Sequence, residues 1–153
     1  MIVGKTLIVF FIIGIIPVIS FAQNYSIKYS DVQSRIIAKE KTLLDRWKTG
    51  DTFGFVEAAA DEITYFDGSL KMRCDGIKEF RDYLASFNGT FSFPGYELLN
   101  PNVQLYGDIA ILTFNFVGYM DDGKRDPWNT TEVYLLINGD WKIVSSHWSH
   151  TKQ

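Results

Sequence analysis

"WNTTEVYLLINGDWKIVSSHWSH", residues 128–150, sets two apolar, alternating runs on either side of Asn138-Gly139. Both turn residues tolerate the positive φ that a tight hairpin needs, so the stretch reads as two long antiparallel strands. Working upstream, "YELLNPNVQLYG" (96–107) and "IAILTFNFVGYM" (109–120) are two further strand candidates, divided by Gly107-Asp108 and followed by the polar "DDGKRD" (121–126). Beyond Pro94 the chain is therefore expected to be sheet.

The first half has a different period. From Ser30, Val32, Ile36, Leu43 and Trp47 recur at helical spacing, Ile37 and Leu44 widen the stripe, and Gly50 supplies a stop. Asp51 is placed to cap a second, shorter helix through "TFGFVEAAA" (52–60). "EITYFD" (62–67) then alternates, putting Ile63, Tyr65 and Asp67 on one side of a strand, and "LKMRC" (70–74) is a brief run after the turn at Gly68-Ser69. Asp75 opens a third helix with Ile77, Phe80, Leu84 and Phe87 on its apolar face and Gly89 at its end. Three helices followed by a mostly antiparallel sheet make an α+β domain, and a curved sheet wrapped over a long helix would leave a cavity.

Composition narrows the function classes. Aromatic residues make up 16% of the chain, enough to line a pocket or a subunit interface as well as fill a core. The formal charge is −3 with no basic run, which argues against nucleic acid as a partner. Cys74 is the only cysteine, so no internal disulfide or thiolate cluster can form. With two histidines and no HExxH spacing, neither a metal site nor a cofactor is expected. The start, with Lys5, the apolar "TLIVFFIIGIIPVIS" (6–20) and small residues ahead of a cut after Ala22, reads as a secretory signal peptide over residues 1–22. Its apolar core falls short of the roughly 20 residues of a membrane helix. The expectation is a secreted or periplasmic protein, free of the membrane after cleavage, with one domain over residues 23–153.

Five stretches carry a resemblance: "DRWKTGD" (45–51), "AADEITYFDG" (59–68), "DGIKEFRDYL" (75–84), "LNPNVQLYGDIAILTF" (99–114) and "TTEVYLLINGDWKIVSSHWS" (130–149). Together they resemble the nuclear-transport-factor-2-like superfamily, which includes ketosteroid isomerase, the SnoaL-like proteins and the association domain of calcium/calmodulin-dependent kinase II. The resemblance implies a cone-shaped α+β fold with a pocket between sheet and helices, and a homodimer; one fold hosts many activities, so it implies no single function. Set against the isomerase, Asp67 falls at the general base, while Leu43 and Thr131 fall where that enzyme has its two oxyanion donors. Set against the kinase domain, Glu132 replaces a pocket arginine and Ser145 a histidine, which favours a cationic or hydroxylated ligand over an anion.

Asp67, Glu132 and His147 are the candidate catalytic residues: Asp67 and His147 as an acid/base pair, Glu132 to orient the substrate. Each also has a plainer reading. Asp67, before Gly-Ser, suits a turn whose carboxylate holds the next amides. His147 suits a sheet hydrogen bond, and Glu132 a solvent-facing charge. Trp47, Tyr65, Phe80, Phe114, Trp128 and Tyr134 are expected to line the pocket. Two functions stand side by side: binding of a small hydrophobic or hydroxylated molecule, with or without acid/base chemistry, and a non-catalytic dimerisation or partner-binding module. Converging Asp67, Glu132 and His147 in a cavity would favour the first; those groups at the surface of a filled domain would favour the second.

Overall fold

The computed structural model describes the backbone of residues 18–151 and the side chains of 29–151. Of the expected leader, only the last five residues are among them; the rest lies outside the described residues. Three helices, α1 (Val18–Lys48), α2 (Phe53–Ala58) and α3 (Gly76–Ala85), accompany six strands. These are β1 (Ala59–Phe66), β2 (Cys74–Asp75), β3 (Gly95–Tyr106), β4 (Ile109–Tyr119), β5 (Arg125–Ile137) and β6 (Asp140–His150). The expected α+β architecture, a curved, mostly antiparallel sheet packed on helices from the first half of the chain, is what is found. No helix among the described residues is long and apolar enough to cross a membrane.

The strands form one open sheet in the order β2-β1-β6-β5-β4-β3. β1 runs parallel to β6 and every other pair is antiparallel. The hairpin that decides the fold closes as expected, with Asn138 at φ +50° and Gly139 at φ +84°. Two interruptions bend the sheet. Asn100-Pro101 bulges out of β3 between the Leu99–Asn115 and Asn102–Thr113 pairs, and Val144 bulges out of β6 between the Tyr134–Ile143 and Val133–Ser145 pairs.

α1 lies on the concave face. Its buried line is Ile36, Glu40, Leu43 and Leu44, and near its start Tyr29 Oη and Gln33 Nε2 both donate to the Val103 carbonyl of β3, at 3.1 and 2.8 Å. Thr52, one residue later than expected, is the N-cap of α2, and the Asp51 carboxylate before it accepts the Phe53 amide at 3.1 Å. Asp75 precedes α3 as expected but its carboxylate pairs with Arg73; Glu79 reaches back to the Asp75 amide instead, at 2.9 Å. The inner positions of β4 (Ala110, Leu112, Phe114, Phe116) and β6 (Trp141, Ile143) complete a core with Phe80 and Leu84 of α3. Each large apolar side chain so buried contributes about 1.5–3 kcal/mol.

Candidate functional site

A cavity of about 420 Å³ lies between the concave face and the helices. α1 gives it Leu44 and Trp47, and β1 with its following turn gives Tyr65, Asp67, Gly68 and Ser69. The α3 segment adds Tyr83 and Phe87, and the sheet adds Phe116, Gly118, Asp126, Trp128, Trp148 and His150. Leu44, Tyr65 and Phe116 are buried at its floor, while Gly68, Ser69 and His150 are exposed at its rim.

Asp67 carries most of the polar geometry. Its Oδ2 accepts hydrogen bonds from Tyr65 Oη at 3.0 Å and from Tyr83 Oη, and its Oδ1 accepts from the Ser69 amide at 2.7 Å and Ser69 Oγ at 2.8 Å. Both readings of this residue therefore hold at once: it is a turn carboxylate that anchors the next amide, and it faces the cavity. Burial pushes its pKa up, but the donors Tyr83, Ser69 and Tyr65 outweigh that and hold it below the ordinary carboxylate value. The two phenols move the other way: burial, chiefly, and then the Asp67 charge push Tyr65 well up, and burial with the hydrogen bond to Asp67 raises Tyr83. Asp67 is thus an ionised, fully solicited acceptor, which makes it a strong anchor and a weak base.

Across the rim sits a second acidic group that the sequence reading missed. Asp126 accepts from Trp128 Nε1 at 2.7 Å and stands 3.3 Å from His150 Nδ1. The His150 imidazole packs on the Trp128 indole with ring centres 3.5 Å apart.

Beneath the cavity wall runs a buried chain of polar groups. Trp148 Nε1 donates to Ser146 Oγ at 3.0 Å, and Ser146 Oγ donates to Glu132 Oε1 at 3.0 Å. Tyr134 Oη lies 2.9 Å from Glu132 Oε2 and 2.7 Å from Glu40 Oε2. Tyr134, Glu132 and Glu40 are all 0% exposed. One phenolic proton cannot serve two carboxylates, so one carboxyl carries a proton of its own. Every other donor points at Glu132, which places the charge there and the proton on Glu40. Burial and then the neighbouring Glu132 charge push Glu40 well above its ordinary value; burial also raises Glu132, but hydrogen bonds from Glu40, Tyr134 and Ser146 oppose the rise. Glu40 Oε1 has no hydrogen-bond partner, which is tolerable for the carbonyl oxygen of a neutral acid and costly for an anion.

The structure therefore redistributes the expected site. Trp47, Tyr65, Asp67 and Trp128 do line the cavity. Glu132 is on the inner face but lies below Ser146 and Trp148, so it does not reach a ligand in the cavity. Tyr134 is sealed in the same layer. Phe80 packs behind Tyr65, ring centres 4.9 Å apart, and Phe114 stands edge-on behind Trp148 at 5.6 Å; both belong to the core. His147 is on the outer face, exposed, 5.8 Å from the Phe66 ring. The bulge at Val144 shifts strand parity by one, turning Ser146, Trp148 and His150 inward in place of Ser145, His147 and Ser149. Asp67 and His147 thus form no acid/base pair. The positions set against the isomerase's oxyanion donors are equally remote: Leu43 is in the core and Thr131 is exposed on the outer face. Ser145 bonds Thr64 across the β1–β6 junction at 3.0 Å. Among the described residues, no three His, Cys, Asp or Glu side chains are grouped to hold a metal ion.

Comparison with known proteins places this geometry. Residues 42–152 match the sequence profile of the SnoaL-like domain. A candidate ketosteroid isomerase from Parabacteroides distasonis is similar at 35% identity over 76% of this chain and 86% of its own, with a TM-score of 0.70. A nuclear-transport-factor-2-like protein of unknown function from Pseudomonas putida shares the fold at 20% identity, with 81% and 89% covered and a TM-score of 0.73. The association domain of calcium/calmodulin-dependent kinase II from C. elegans does so at 24% identity, with 78% and 96% covered and a TM-score of 0.67. No curated protein matches the chain.

Proposed function

Since the chain belongs to the SnoaL-like domain family, we propose that it binds one small, largely hydrophobic molecule in the cavity between α1, α3 and the sheet. The observation that carries this reading is an ionised carboxylate, Asp67, held in place by Tyr65, Tyr83 and Ser69 at one side of a largely aromatic cavity. An apolar chamber with few fixed polar groups suits one orientation of one ligand. We read the protein as exported after removal of residues 1–22 and as a homodimer. The likeness to proteins described as association and hub domains supports self-association, as do Phe66, Leu99 and Ile109, each 37–43% exposed on the outer sheet face.

Binding is favoured over isomerisation. The 35% identical relative is described as a candidate ketosteroid isomerase, but here the carboxylate in the base position is held low in pKa and the nearby hydroxyls already donate to it. A base so satisfied abstracts a carbon-bound proton poorly.

The test uses N-phenyl-1-naphthylamine, a neutral apolar fluorophore, titrated into the full chain. Saturable binding at one site per chain is expected, and Gly68→Phe at the rim should weaken it at least tenfold. An added Cβ at Gly68 falls 3.4 Å from His150 Cδ2 and 3.9 Å from Trp128 Cζ3, so a phenyl group there starts at the mouth of the cavity. Absence of saturable binding to the wild-type chain would end the proposal.

A further inference from the structure

Five of the side-chain donors that line this cavity are spent on the protein itself. Tyr65, Tyr83 and Ser69 donate to Asp67, Trp128 donates to Asp126, and Trp148 donates to Ser146, which passes the polarity on to Glu132. What these groups leave for a ligand is the negative π-face of each ring and the charge of two carboxylates. Hydrogen-bonding the O–H or N–H edge of a ring to an anion also enriches its face in electron density, which strengthens attraction for positive charge. No lysine or arginine is among the cavity's lining residues. An anionic ligand would meet repulsion from the two carboxylates here.

We propose that the cavity selects organic cations, a protonated or quaternary amine on a hydrophobic body, with the charge between Asp67 and Asp126 and the body against Trp47, Phe116, Trp128 and Trp148. The two carboxylates stand on either side of the same rim: Gly68, next to Asp67, is the neighbour of both His150 and Trp128, the partners of Asp126. The inference rests on the reading of the cavity as a binding site and adds the sign of the ligand's charge.

A matched pair of ligands tests it by NMR titration of the full chain: benzyltrimethylammonium and its uncharged carbon isostere, neopentylbenzene. The cation is expected to bind at least tenfold more tightly, a difference of about 1.4 kcal/mol, and to shift the indole N–H signals of Trp128 and Trp148. Asp67→Asn and Asp126→Asn should each erode that preference; the second leaves the Tyr65–Tyr83–Ser69 network untouched and so separates lost charge from lost folding. Equal binding of the two ligands would overturn cation selectivity while leaving the cavity a binding site. Binding of neither, together with no uptake of N-phenyl-1-naphthylamine, would overturn both.

Discussion

Replacing Glu40 by glutamine should make the protein more stable as the pH rises. A protonated Glu40 is a neutral group that lies 2.7 Å from the Tyr134 hydroxyl, and a glutamine amide, which both donates and accepts, can keep that contact. The difference lies in proton uptake. In the unfolded chain Glu40 titrates near its ordinary value of 4.5, while in the folded protein burial and Glu132 hold the proton to higher pH. Above about 4.5 the unfolded state has released a proton that the native state retains, so wild-type stability falls with pH until the native carboxyl itself lets go. One retained proton changes stability by about 1.36 kcal/mol per pH unit for as long as the native carboxyl keeps it. Glu40→Gln lacks this loss. Urea unfolding of both proteins, followed by tryptophan fluorescence at pH 4.5, 5.5 and 6.5, should show near-equal stability at the lowest pH and a growing advantage for the variant. Asp67, held low in pKa, acts with the opposite sign, contributing stability at neutral pH that is lost in acid, but it is common to both proteins and cancels. A stability difference that stays flat across this range would refute the protonated, buried Glu40.

Two further outcomes follow from where the side chains point. His147→Gln should leave N-phenyl-1-naphthylamine affinity within about twofold, because the imidazole is on the outer face, whereas His150→Ala should weaken it about threefold to tenfold by removing the ring that packs on Trp128. Sedimentation velocity at micromolar concentration should give twice the mass of one chain, and a single-chain mass at every concentration would refute the homodimer.

Strand positions were legible because alternation and turn chemistry agreed: Asn138-Gly139 and Gly107-Asp108 each fall between the strands they were expected to divide, and the polar 121–126 segment does so up to Lys124, its last two residues already belonging to β5. Side-chain direction was legible only up to the first bulge. Counting by twos from Trp141 is right as far as Ile143, and Val144 then reverses every later residue, which exchanged His147 for His150. Nothing local to "KIVSSH" marks the extra residue; it is set by how β6 must curve between β1 and β5. Glu40, by contrast, had a signal that went unused. It stands four residues after Ile36 and three before Leu43, on the apolar stripe itself, where a carboxylate must find a partner or a proton. Phe80 and Phe114 were assigned to the right face, but facing inward does not distinguish a cavity wall from the layer behind it. Tyr83 and Asp126 come from segments distant in sequence and meet the site only through the tertiary fold.

The pairing of β1 with β6 bears on how the chain reaches this fold. β6 is an interior strand, yet it follows every other described strand in the sequence, and the Thr64–Ser145 contact that ties it to β1 spans 81 residues. Until β6 arrives, β2-β1 on one side and β5-β4-β3 on the other are two separate pieces, each with an open edge. Folding therefore ends on closure of a long loop, a step whose entropy cost grows with span and which puts the domain among slow, non-local folders. A ribosome or export channel that withheld the last dozen residues would hold the rest as a sheet in two halves, unable to form the cavity.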